Sequence, residues 1–242
     1  MAVAYLSEVF GSIQGEGMDA GTGALFLRFA GCNLDCSYCD TPHARVRSEG
    51  FTVYGDGGPR TVDNPIDCCD LVSIATREFE HCRLAVLTGG EPLLQAAALK
   101  CIIPELKGKC FSTCLETNGT LPEAMREVRG MTDLVSMDIK LPSGQEGRDL
   151  SREHKEFLKV IEEENAAVKI IIPAQASDRE VMAALRLVAD ARPELPVFLQ
   201  PVFRRAKPEV RGERLLRLRK EASAFLSDVR ISVQIHKVLG IR

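Results

Sequence analysis

The run Gly31-Cys32-Asn33-Leu34-Asp35-Cys36-Ser37-Tyr38-Cys39-Asp40-Thr41-Pro42 sets three thiols at C-x3-C-x2-C spacing. Cysteine thiolates hold iron–sulfur clusters, usually four to a cluster. Three on one short loop leave one iron of a cubane open to another molecule. An incomplete ligand set makes a reactive centre, where a complete one makes a structural centre. The spacing also suits zinc, because His43 follows Cys39 closely enough to complete a Cys3His tetrahedron. Spacing alone leaves both readings open.

Just upstream, Ala24-Leu25-Phe26-Leu27-Arg28-Phe29-Ala30 reads as a buried strand, short, apolar and bounded by glycines. Arg28 interrupts it. A buried guanidinium is costly unless an anion meets it. The sequence allows an exposed strand edge, a core carboxylate, or a ligand carboxylate matched to the planar fork of arginine. Further upstream, Ser12-Ile13-Gln14-Gly15-Glu16-Gly17 reads as a loop whose backbone can approach a ligand closely.

Downstream, strands and helices alternate. The pattern predicts helix 65–80, strand 82–87 and the turn Thr88-Gly89-Gly90-Glu91-Pro92, then helix 92–106 and strand 110–115 ending at Glu116-Thr117-Asn118-Gly119. Helix 121–129 leads to strand 132–137, which contains Ser136 and Met137 and ends at Asp138-Ile139-Lys140. Helix 150–163, strand 167–172, and helix 178–191 opened by a Ser177/Glu180 capping box come next. Strand 196–199 ends at Gln200-Pro201, and helix 208–227 precedes a strand 230–235 ending at His236-Lys237. Alternation of this kind predicts a parallel sheet with helical crossovers, with polar clusters at strand ends where α/β barrels place their chemistry. Six or seven strands predict an incomplete TIM-type barrel in a single domain, residues 1–242. Residues 43–64, rich in glycine, read as an irregular insert.

A chain of 242 residues is long enough for one such domain. The net charge of -3 creates no field for nucleic acid or an anionic membrane. The N-terminus lacks a basic start and an apolar core, and no apolar run spans a bilayer, so a cytoplasmic protein is expected. Nine cysteines without an export signal do not predict disulfides. Cys82, Cys101, Cys110 and Cys114 read as small core residues, and adjacent Cys68 and Cys69 point in different directions at a helix start. The basic stretch 204–220 reads as a solvated helix face over Leu215, Leu216 and Leu218, with docking of an acidic electron donor as the alternative. It lacks the aromatics that would stack RNA bases.

The thiol loop with Tyr38 beside its last cysteine, followed by Thr88-Gly89-Gly90-Glu91-Pro92, resembles the radical S-adenosylmethionine (SAM) superfamily. That resemblance implies a 4Fe-4S cluster on Cys32, Cys36 and Cys39, with SAM on the open iron, cleaved reductively to a 5′-deoxyadenosyl radical. It implies SAM contacts from Tyr38, Cys39, Asp40, Gly90, Glu116, Ser136, Met137, Asp138, Lys140 and Gln200. Without it, Asp138 and Lys140 would read as a local ion pair worth little. Adding the 12–17 loop, Arg28 to Thr41, Glu116 to Gly119 and Gln234-x-His236-Lys237, the chain resembles the 7-carboxy-7-deazaguanine synthase family from end to end. The family converts 6-carboxy-5,6,7,8-tetrahydropterin with loss of ammonia. The resemblance implies Mg²⁺ at Thr41 and a pterin pocket of Ile13, Gln14, Gly15, Glu16, Arg28, Thr88 and His236. It further implies a homodimer and an external one-electron donor such as flavodoxin. Tyr38 departs from the Trp of many relatives, and 43–64 matches no part of the family pattern. A glycyl-radical activating enzyme and a zinc-stabilised, non-catalytic binding module are the competing readings.

Overall fold

The computed structural model describes residues 2–242. One sheet of ten strands organises it: β1 (Leu6–Ile13), β2 (Gly23–Phe29), β3 (Gly50–Gly55), β4 (Gly58–Asp63), β5 (Leu84–Gly89), β6 (Ser112–Thr117), β7 (Leu134–Lys140), β8 (Ala166–Ile172), β9 (Val197–Pro201) and β10 (Val229–Ile231). Their order across the sheet is β10-β9-β8-β7-β6-β5-β2-β1-β3-β4. From β2 to β10 the seven expected strands run parallel. Between them run α1 (Cys68–Glu78), α2 (Ala96–Gly108), α3 (Pro122–Val128), α4 (Ser151–Val160), α5 (Asp178–Ala191) and α6 (Gly212–Ala222). With edges at β4 and β10 the sheet is a partial barrel, and its central strands β2 and β5 to β9 are the near-continuous apolar runs that a sheet buried on both faces requires.

Two expectations change. The 43–64 insert is ordered: a 3-10 turn over Pro42–Arg45 leads to the β3–β4 hairpin, which adds to β1 in parallel. Phe51 and Val53 are buried and alternate with less buried Thr52 and Tyr54, so the hairpin has the period of a half-buried strand. At the other end, β10 stops at Ile231 and a short helix α7 (Ile235–Leu239) follows, while α6 is shorter than 208–227.

Side-chain alternation divides the concave face into two levels. Phe10, Phe26, Leu84, Val86, Cys114 and Leu134 form an apolar floor, with the Phe10 and Phe26 rings stacked at 4.8 Å. Two residues further along the same strands come Arg28, Thr88, Glu116 and Ser136, and two beyond Ser136 comes Asp138. The opposite face buries Leu25, Leu27, Val135, Met137 and Val168 in the main core under the helices. Ser177 and Glu180 form the expected capping box on α5. No helix among the described residues is long and apolar enough to cross a membrane.

Candidate active site

The thiol loop hangs over the parallel strand ends, fixed from three sides. Glu91 N–H donates to Gly31 O at 2.8 Å, and Gly90 N–H to Phe29 O at 3.0 Å. A Cβ on Gly90 would overlap the Gly31 carbonyl, and one on Gly89 would overlap backbone atoms of Phe29. The paired glycines are therefore the condition for β5 to pass beneath the loop. Asn118 Nδ2 donates to Asn33 Oδ1 at 2.9 Å, and Asn33 Nδ2 to Thr120 Oγ1 at 2.8 Å, tying the loop to the turn after β6. On the third side, Ser37 N–H donates to Gly144 O, and Gln145 Nε2 reaches Cys36 Sγ at 2.8 Å.

Glu91 is wholly buried. Burial pushes its carboxyl up to about 7, against the donors Asn118 N–H, Leu93 N–H and Thr117 Oγ1–H. It braces the β5 and β6 ends from behind the cavity wall.

Below the loop is one cavity. Its wall includes Cys32, Cys36, Cys39, Thr41, Tyr38, Asp40, Gly90, Glu116, Asp138, Lys140 and Gln200 from the expected metal and cofactor set. Ile13, Gln14, Gly15, Glu16, Arg28, Thr88 and His236 from the expected substrate set share it. Two expected cofactor residues lie elsewhere. Met137 is buried on the helical face of β7, one position out of phase with the wall. Ser136 is buried on the concave face, a step below Asp138, and does not reach the wall.

The opposite wall is a buried ionic network. Lys169 Nζ lies 2.8 Å from Glu16 Oε2, 3.2 Å from Asp138 Oδ1 and 3.7 Å from Glu116 Oε1. Gln200 and Gln234 donate to Glu16, each at 2.8 Å, while Gln14 and Thr88 donate to Glu116. Lys140 Nζ meets Asp138 Oδ2 at 2.8 Å. Burial opposes the Glu16 charge, but Lys169 and the amide donors outweigh it and hold the carboxyl far below its ordinary range. Burial likewise opposes the Lys169 charge, and Asp138, Glu16 and Glu116 hold it protonated well above its ordinary value. At the far end, Arg28 Nε donates to Glu8 Oε1 at 2.7 Å, so the core-carboxylate reading of Arg28 holds while its guanidinium still lines the cavity. Gly15 packs against His236, whose pKa burial depresses against the pull of Glu16.

Lys169, Glu8, Gln234 and Arg242 were not among the expected site residues. Lys169 carried a signal, a lone cation in Ala166-Ala167-Val168-Lys169-Ile170-Ile171-Ile172. Glu8 and Arg242 carried none, because their meeting depends on β1 pairing with β2 and on the chain returning after α7.

The donor set fits a cluster better than a single ion. The three thiols are free and share one wall, and each thiolate of a cubane binds a different iron. His43 is off the wall, largely exposed and 3.9 Å from Glu8, so the Cys3His arrangement does not form. Two buried oxygens on the wall, Tyr38 OH and Gln200 Oε1, lack hydrogen-bond partners, the demand that a polar ligand meets.

The profile of the Radical SAM superfamily matches residues 27–193. The 7-carboxy-7-deazaguanine synthase of Geobacter sulfurreducens is 35% identical, covering 98% of this chain and 97% of that protein. The one from Methanopyrus kandleri is 35% identical over 96% of this chain and 92% of its own. The crystal structure of QueE from Escherichia coli superposes with a TM-score of 0.65 at 22% identity, over 97% of this chain and 95% of that one, a likeness of fold. None of these relatives is a glycyl-radical activating enzyme, and that reading is set aside. The chain belongs to the radical SAM superfamily and, within it, to the 7-carboxy-7-deazaguanine synthase family.

Proposed function

We propose that this enzyme converts 6-carboxy-5,6,7,8-tetrahydropterin into 7-carboxy-7-deazaguanine with loss of ammonia. The observation that carries the reading is the single cavity with three thiols at one end and Arg28, Glu16 and the amides of Gln14 and Gln234 at the other. The superfamily's 4Fe-4S cluster and SAM supply the radical chemistry when bound. The protein's own part is to hold, orient and shield. Cys32, Cys36 and Cys39 would hold the cluster. Asp138, Lys140, Gln200 and the ring of Tyr38, which lies 5.9 Å from Lys140 Nζ, would hold SAM beside it.

Arg28 gives the substrate carboxylate its partner. Glu8 occupies only Nε, leaving the outer nitrogens of the fork to a planar anion. Glu16 is kept ionised by Lys169 and so offers an acceptor to the amino and ring N–H groups of the pterin edge. The stacked floor of Phe10 and Phe26 closes the bottom against water. Thr41, on the wall at the head of the Pro42–Arg45 turn, offers one hydroxyl for Mg²⁺, an ion that keeps most of its waters and takes oxygen from its substrate. An external one-electron donor and a homodimeric assembly complete the reading.

The test is anaerobic reconstitution with iron and sulfide, then reduced enzyme with SAM, Mg²⁺ and 6-carboxytetrahydropterin. Expected are the deazaguanine acid and ammonia in equal amounts. A loaded enzyme that cleaves SAM but leaves this pterin intact would refute the substrate.

A further inference from the structure

Burying an ammonium inside an apolar strand costs several kcal/mol unless its partners are well placed. Lys169 is such a case: its side chain is 4% exposed, and Val168 and Ile170 beside it lie in the core. Its three carboxylate partners come from three separate elements, the loop after β1, the end of β6 and the end of β7. Each partner also has a second task. Glu16 gathers Gln200 and Gln234, Glu116 gathers Gln14 and Thr88, and Asp138 holds Lys140. Among the described residues no other cation pairs with Glu16 or Glu116.

We propose that Lys169 is a positioning residue that sets the spacing between the two ligands, tying Glu16 on the pterin side to Asp138 on the SAM side. This rests on the function proposed above. Without the ammonium, three buried carboxylates would face one another with Lys140 alone to offset them. Repulsion would then swing Glu16 away from the wall and loosen Asp138. Hydrogen transfer between two bound molecules depends on the gap between them, and an error of about 1 Å can cost 10²-fold.

The experiment compares reconstituted wild type with Lys169→Met, Lys169→Arg, Glu16→Gln and the Lys169→Met/Glu16→Gln double variant. Two quantities are read: the dissociation constant of 6-carboxytetrahydropterin by equilibrium dialysis with SAM present, and 5′-deoxyadenosine released per deazaguanine formed. Lys169→Met should weaken pterin binding roughly tenfold or more. It should also raise the 5′-deoxyadenosine ratio by about the same factor, as misaligned turnover spends SAM without product. A merely structural loss would reduce the amount of loaded enzyme and leave that ratio unmoved. Should Lys169→Met not load iron, Lys169→Arg carries the test, because it keeps the charge and shifts its position, and its ratio should also rise. In the double variant the binding loss should not exceed that of Glu16→Gln alone, since Lys169 acts through Glu16. A wild-type ratio and dissociation constant in the Lys169 variants, or additive losses in the double variant, would overturn the inference. Wild type that makes no deazaguanine would overturn the functional reading, and this inference with it.

Discussion

Arg28 and Glu8 are direct cross-strand partners on β2 and β1, and Arg28 Nε donates to Glu8 Oε1 at 2.7 Å. The second oxygen of Glu8 meets the Arg242 guanidinium, which stacks 3.7 Å from the Tyr54 ring. One carboxylate thus serves two cations, and positive charge is left over for an anion in the cavity. Lysine at position 28 cannot grip Glu8 and a ligand carboxylate together. Arg28→Lys should raise the pterin KM tenfold or more, about 1.4 kcal/mol, with iron content unchanged. Steady-state kinetics on iron-matched protein checks this.

Gly90→Ala should prevent the thiol loop from seating. The new methyl would collide with the Gly31 carbonyl and lie 2.8 Å from Ala44 O, and both atoms are backbone that cannot rotate aside. Overpacking of this kind costs about 1–3 kcal/mol. Thermal melts and iron analysis after reconstitution should show a lower Tm and poor loading.

Gln145 donates to Cys36 Sγ at 2.8 Å. Hydrogen bonds to cluster sulfurs stabilise the reduced state and so help set the potential. Gln145→Leu should shift the midpoint potential of the loaded protein to more negative values and slow reduction by a weak donor. Spectroelectrochemical titration reads both.

Acid stability should carry the mark of His154. Its Nε2 lies 3.2 Å from Asn118 O, and burial depresses its pKa to about 4, against the hydrogen bond to that carbonyl. The unfolded chain takes up this proton near pH 6.5, the folded chain only near 4. The contribution is therefore complete above pH 6.5 and drains away as pH falls to 4, about 3 kcal/mol in all. His154→Gln removes the linkage, so urea midpoints measured across this window should fall less steeply than in wild type.

Strands β2 and β5 to β9 were legible because both faces of each are largely buried, which writes a near-continuous apolar run into the sequence, whereas β10 is short and carries an exposed Arg230. β1 was not. Leu6-Ser7-Glu8-Val9-Phe10-Gly11-Ser12-Ile13 has an apolar face broken by Glu8, whose partner Arg28 lies on another strand. The β3–β4 hairpin was hidden by its turn glycines, although Phe51 and Val53 keep the strand period. At the site, motif residues were readable wherever chemistry fixes a side chain at a strand end. The Met137 side chain lies out of phase with the wall because three neighbours, Ser136 to Asp138, cannot all face one side of a strand. The Lys169 hub belongs to the tertiary structure. Its partners come from positions 16, 116 and 138, and no local pattern announces their meeting.

The central claim is that three protein thiolates leave a cluster corner that SAM takes. Electron paramagnetic resonance of the reduced, reconstituted protein, recorded before and after adding SAM, tests it most directly. A cluster signal whose g-values change on SAM addition, and which disappears in Cys32→Ala, Cys36→Ala and Cys39→Ala alike, is the predicted result. A spectrum indifferent to SAM, or protein that binds zinc and forms no cluster, would contradict it.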